Sequence, residues 1–196
     1  SGSAAPEDTR PICTNIIRED CRKGLIRIDA VPAPAPGAPE VTISDVASFA
    51  PAAPIPLAEP SSLGVAGRPA NFVATASAHT REGTILGAPV TVRFTPSAYT
   101  FDYGDGATAT RSTGGATWSA LGQAAFTPTD TSHVYEHRGE YTTTVTVHYT
   151  ADVDLGAGWI PLDGTLPVTS PPQTIRIFEA HTGLVHHTCT EDPDAP

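Results

Sequence analysis

The chain has 196 residues, enough for one large or two small domains with a real core. A formal net charge of −10 excludes duplex nucleic acid as a partner and disfavours anionic membrane surfaces, because both are held by Lys and Arg. Twenty Pro and seventeen Gly cut the chain into short elements, and no apolar stretch is long enough for a membrane-spanning helix.

Residues 1–40 read as a leader and a linker. Cys13 and Cys21 enclose a segment with two readings, a helical turn ending at Gly24 or a small disulfide loop. Eight residues of helix would set the two Cα atoms about 12 Å apart, whereas a disulfide needs less than about 7 Å. A Cys13–Cys21 bridge is the favoured reading, in an exported protein, and closing so short a loop would contribute about 2.5 kcal/mol. Cys189 is the odd cysteine, with Cys13, Cys21 or a cysteine elsewhere as its partner. Without a CxxC or a Cys/His cluster at ligand spacing, structural zinc is not expected. Gly24 to Ala30 alternates weakly, as a short strand would, and Val31 to Pro39 is a Pro/Ala tract that reads as a polyproline II spacer.

Residues 41–183 carry a β pattern, and 184–196 form an acidic tail with Glu191, Asp192 and Asp194. Val41 to Val46 is strand-like, and a second Pro-rich run, Pro51 to Pro60, follows it. Val41, Ile43, Val46 and Phe49 give this region apolar surface to bury, so it is expected to pack on the domain. Next comes a turn and strand, Gly64 to Ala76, with Phe72 and Ala74 on one face and Asn71, Val73 and Thr75 on the other. Thr84 to Gly87 and Val90 to Phe94 supply short strands, the second expected to stop at Pro96. Tyr99 to Tyr103 is the next strand and runs into the turn Gly104-Asp105-Gly106.

The long segment from Thr110 to Thr131 holds Trp118, followed by one helical turn closed by Gly122. Trp118 has two readings, a platform for a sugar ring or a plug for the core. Tyr141 to Tyr149 is the clearest strand. Tyr141, Thr143, Val145, Val147 and Tyr149 share a buried face, and Thr142, Thr144, Thr146 and His148 share a wet one. Trp159 to Val168 reads as an inserted hairpin turning at Asp163-Gly164, and Gln173 to Phe178 as the closing strand. Seven or more short strands with turn signals between them predict an all-β antiparallel β-sandwich.

Four stretches carry a family resemblance. Tyr99 to Gly106 resembles the Trp-Asp-Phe-Gly-Asp-Gly signature of PKD (polycystic kidney disease) domains, with Phe101 where that family usually has Trp. His133-Val134-Tyr135 is similar to the family's His-x-Tyr, Gly139 to Val147 to its Gly-Thr-Tyr-Thr-Val-Thr-Leu-Thr-Val strand, and Gly67 to Ala74 to its early Gly-x-x-Val-x-Phe-x-Ala strand. The resemblance implies an Ig-like sandwich and a non-catalytic module of secreted or cell-surface proteins, either a spacer or a binder of protein or polysaccharide.

The motif also has a reading of its own. Gly104 and Gly106 permit a tight turn, Asp102 and Asp105 can accept bonds from nearby backbone N–H groups, and His133 can bond across to the same turn. Tyr135 and Gly139 belong to the same motif, and Tyr141 can tie its hydroxyl to a loop.

Asp102 with Asp105, and Asp152 with Asp154, lack the dense oxygen donors of a dedicated calcium site. His133 and His137 are four apart, but on a strand entry rather than a helix, so no zinc-protease site is expected. Neither a nucleophile elbow nor a phosphate loop occurs, and no cofactor is expected. The reading is therefore a non-catalytic binding or spacer module, with a structural subunit of a surface assembly as one alternative and a hydrolase, for which no carboxylate pair is singled out, as the other. Trp118 and Trp159 are the candidate binding residues.

Overall fold

The computed structural model describes residues 41–181. The Cys13–Cys21 bridge, Cys189, the strand expected at Gly24, the Pro/Ala tract and the acidic tail all lie outside the described residues.

The described chain has no α-helix, only a 3-10 turn at Ala47–Phe49. Its strands are β1 (Pro56–Glu59), β2 (Leu63–Val65), β3 (Pro69–Ala74), β4 (His79–Ile85), β5 (Ala88–Asp102), β6 (Thr108–Arg111), β7 (Ser132–Val134), β8 (Gly139–Asp154), β9 (Trp159–Pro161), β10 (Leu166–Thr169) and β11 (Gln173–Phe178). A smaller sheet has the order β1-β3-β7. The larger runs β2-β11-β8-β5-β4, with β6 also on β5 and with β9 and β10 also on β8. Among these strands only β2 and β11 pair in parallel. The fold is an all-β, Ig-like sandwich.

Two long strands set the geometry. On β8 the alternation predicted for Tyr141 to Tyr149 runs on to Asp154, and Thr143, Val145, Val147, Tyr149, Ala151 and Val153 are all buried. On β5 the buried set is Val90, Val92 and Phe94, then Tyr99 and Phe101. The parity changes between Phe94 and Tyr99, yet the face does not. One extra residue on β5 shifts the register against β8 between Pro96 and Ala98, and this bulge keeps both apolar sets on the core side.

Pro96 therefore does not end the strand as expected. Proline lacks the N–H that a regular ladder needs, and a bulge tolerates it. Phe72, Phe94, Phe101, Tyr135 and Ile175 are among the largest fully buried side chains. Burying an aliphatic or Phe side chain of this size contributes about 1.5–3 kcal/mol.

Two further expectations change. Val41 to Val46 is not a strand. Asp45 Oδ2 accepts bonds from Thr42 N at 2.8 Å and Thr42 Oγ1 at 2.7 Å, and this local bonding folds the segment into a turn. The segment does pack: Val46 is fully buried, with Val41, Ile43 and Phe49 against the core. Phe49 lies over Gly83, where a Cβ would collide with its ring.

The inserted hairpin is also different. β9 and β10 do not pair with each other. Both lie antiparallel along β8, on Asp152–Asp154 and Thr146–Tyr149, and β11 continues along Gly139–Thr143. The returning chain is thus one interrupted strand. Asp163-Gly164 forms an excursion from it, with Gly164 at φ 94°.

Candidate functional site

The turn after β5 is held by its own side chains. Asp102 Oδ1 accepts from Gly104 N at 2.9 Å, and Asp105 Oδ1 from Ala107 N at 3.0 Å. His133 Nε2 lies 2.6 Å from Asp105 Oδ2, and its ring stacks on Tyr103 with centroids 4.2 Å apart. Tyr135 donates its hydroxyl to Tyr103 O at 2.9 Å, and Tyr141 donates to His137 O at 3.0 Å. Gly104 has φ 80° and backs onto the Thr142 backbone, so no side chain fits there.

Burial works to raise the Asp105 carboxyl, but the bonds from His133 and Ala107 N outweigh it and hold the pKa below its ordinary value. Burial lifts the Tyr135 phenol well above its usual range. Asp102, Gly104, Asp105, His133, Tyr135 and Tyr141 spend their polar groups on one another or on nearby backbone. Gly106 completes the turn at φ 95°, and Gly139 lies beneath the Tyr141 ring. These residues form a structural knot.

Trp118 is buried, at 5% exposure, and its face is not available to a sugar ring. It sits with Phe126 in a cluster made by the long loop, ring centroids 5.8 Å apart, and donates Nε1–H to Thr127 O at 2.7 Å. The residues that anchor this loop were not among the sequence candidates. Glu59 Oε2 accepts from Trp118 N at 3.0 Å and from Asn71 Nδ2 at 2.8 Å. Asn71, itself fully buried, also donates to Ala116 O and accepts from Thr129 and Thr131. A buried Asn in mid-strand was the one available signal, since such a group demands partners.

Trp159 is on the surface, at 42% exposure. It lies on the outer face of the larger sheet, opposite Asp154 of β8. Arg93 reaches over from β5, its guanidinium 4.5 Å from the indole centroid, while Nη2 and Nε donate to Asp152 Oδ2 at 3.0 and 3.2 Å. A ligand would meet the free side of the indole, beside a fixed cation and carboxylate.

Further along the same face come Thr150, His148, Thr146, Thr144 and Thr142 of β8, with Thr100 and Thr95 of β5. Thr100 Oγ1 bonds with His148 Nε2 at 3.0 Å and with Thr110 Oγ1 at 3.1 Å, and Thr146 Oγ1 with Thr169 Oγ1 at 2.9 Å. Thr146 and Asp152 are six positions apart, so the Thr100–Thr146 pair and the Arg93–Asp152 pair lie about 20 Å apart along the strand. No described element packs over this face.

The cavities elsewhere are shallow. One, about 400 Å³, is an open trough between Pro51–Ile55 and the stretch from Thr75 to Arg81. Among the described residues, no three His, Cys, Asp or Glu side chains come together as a metal-ligand set. Comparisons with protein-family models, with curated proteins and with solved structures found no match.

Proposed function

We propose that the chain is a non-catalytic, PKD-like module of a secreted or cell-surface protein, and that it binds polysaccharide through the outer face of the larger sheet. The observation that carries this reading is the face itself: hydroxyl-rich, uncovered by any described element, with the exposed indole of Trp159 at one end. An aromatic ring beside fixed polar groups suits a ligand with apolar ring faces and hydroxyl rims.

Retention of the purified protein on a panel of insoluble polymers (cellulose, chitin, cell wall, collagen) tests it. Retention on a polysaccharide, weakened by Trp159→Ala and unchanged by Leu57→Ala on the exposed side of the smaller sheet, supports the reading. No retention on any polysaccharide contradicts it.

A spacer role has one observation in its favour. β8 is 16 residues long, which at the rise of an antiparallel strand spans about 50 Å.

A further inference from the structure

The register of the larger sheet aligns threonines across strands. Thr110 of β6 is opposite Thr100 of β5, Thr100 is opposite Thr146 of β8, and Thr146 is opposite Thr169 of β10. The four make one transverse row on the outer face, with neighbours about 4.8 Å apart. The row is pre-ordered by the Thr100–Thr110 and Thr146–Thr169 bonds, and His148 holds Thr100 from the next position. A hydroxyl offers one donor and two acceptor sites, so each retains at least one for a ligand.

We infer that this row docks the protein onto the ordered surface of a neutral, solid polysaccharide, rather than onto a soluble chain. The inference rests on the binding role proposed above and names the form of its ligand. Three features support it. Among the described residues none of the four threonines lines a well-formed cavity, whereas a site for a soluble oligosaccharide buries most of its ligand. A row on an open sheet face makes only shallow contacts, and these suffice when the ligand is already immobilised and loses little freedom on binding. The charge on this face also excludes polyanions. Its arginines, Arg93 and Arg176, are each paired with a carboxylate, and Asp102, Asp152 and Asp154 stand on the same face.

The test is partition of the protein onto microcrystalline cellulose and crystalline chitin, with soluble cello- and chito-oligosaccharides as competitors. The double variant Thr100→Val/Thr146→Val keeps the branched shape and removes two hydroxyls, and its fold is checked by thermal unfolding. Expected is retention on one solid, a loss of about tenfold in the folded variant, and no competition by oligosaccharide. Unchanged retention of the folded variant, or full competition by the soluble sugar, overturns the row while leaving the wider binding role standing. Should the variant fail to fold, Thr110→Val and Thr169→Val at the exposed ends of the row replace it, with the same criteria. No retention on either solid overturns the inference, and retention on some other polysaccharide of the panel then preserves the wider role.

Discussion

Two tyrosines of the knot contrast in what their hydroxyls do. Tyr135 donates to the Tyr103 carbonyl, whereas the Tyr103 hydroxyl is buried with no partner among the described residues. Tyr135→Phe would leave a carbonyl short of a bond and should cost about 1–2 kcal/mol in urea unfolding. Tyr103→Phe removes an unpaired polar atom and should be neutral or stabilising by the same measure. Asp105 sets a pH dependence. Its carboxyl titrates below the unfolded value of 3.8, so its contribution is complete above that pH and is lost as the pH falls through the lower folded value. Asp105→Asn should therefore flatten the acid limb of a stability–pH curve below pH 3.8, and an unaltered limb would contradict the assignment.

At the scale of elements, the long loop is held from a distance. Glu59 and Trp118 are 59 positions apart in the chain. Glu59→Ala should unpin the loop and leave Asn71 short of a buried partner, destabilising the fold by about 1–3 kcal/mol. In a Trp159→Phe background it should also shift Trp118 emission to the red. Unshifted emission would mean that Glu59 does not hold the loop.

This clamp was hidden in the sequence because nothing local links its members. The strands were legible for the opposite reason. The alternation through Tyr141–Tyr149 is a local property that burial of one face imposes. The turn motif was legible too, since Asp102, Asp105 and the glycines act within a few residues of each other. Pro96 misled because proline signals a break, and only the partner strand decides whether a bulge absorbs it. Asp163-Gly164 misled because a positive φ serves an excursion as well as a hairpin turn. Of the candidate site, the Thr142–His148 face and Trp159 could be read from the sequence. The role of Arg93 and the threonine row could not, because both depend on register between strands far apart in the chain.

For the whole molecule, edges and faces differ in what they offer a partner. Pro161 and Pro167 lie in β9 and β10, whose far edge has no strand partner among the described residues. Without an N–H they blunt that edge against pairing with another chain. A net charge of −10 further opposes self-association. The outer face of the larger sheet carries no such protection, and it is the surface on which the proposed role depends. Side-chain oxidation footprinting of the protein on the polymers of the panel tests that claim most directly. The account predicts that one polysaccharide holds the protein and shields Trp159 and His148, while Leu57 of the smaller sheet stays as reactive as in solution. Adsorption that shields Leu57 and leaves Trp159 and His148 open, or no adsorption to any polysaccharide, would contradict it.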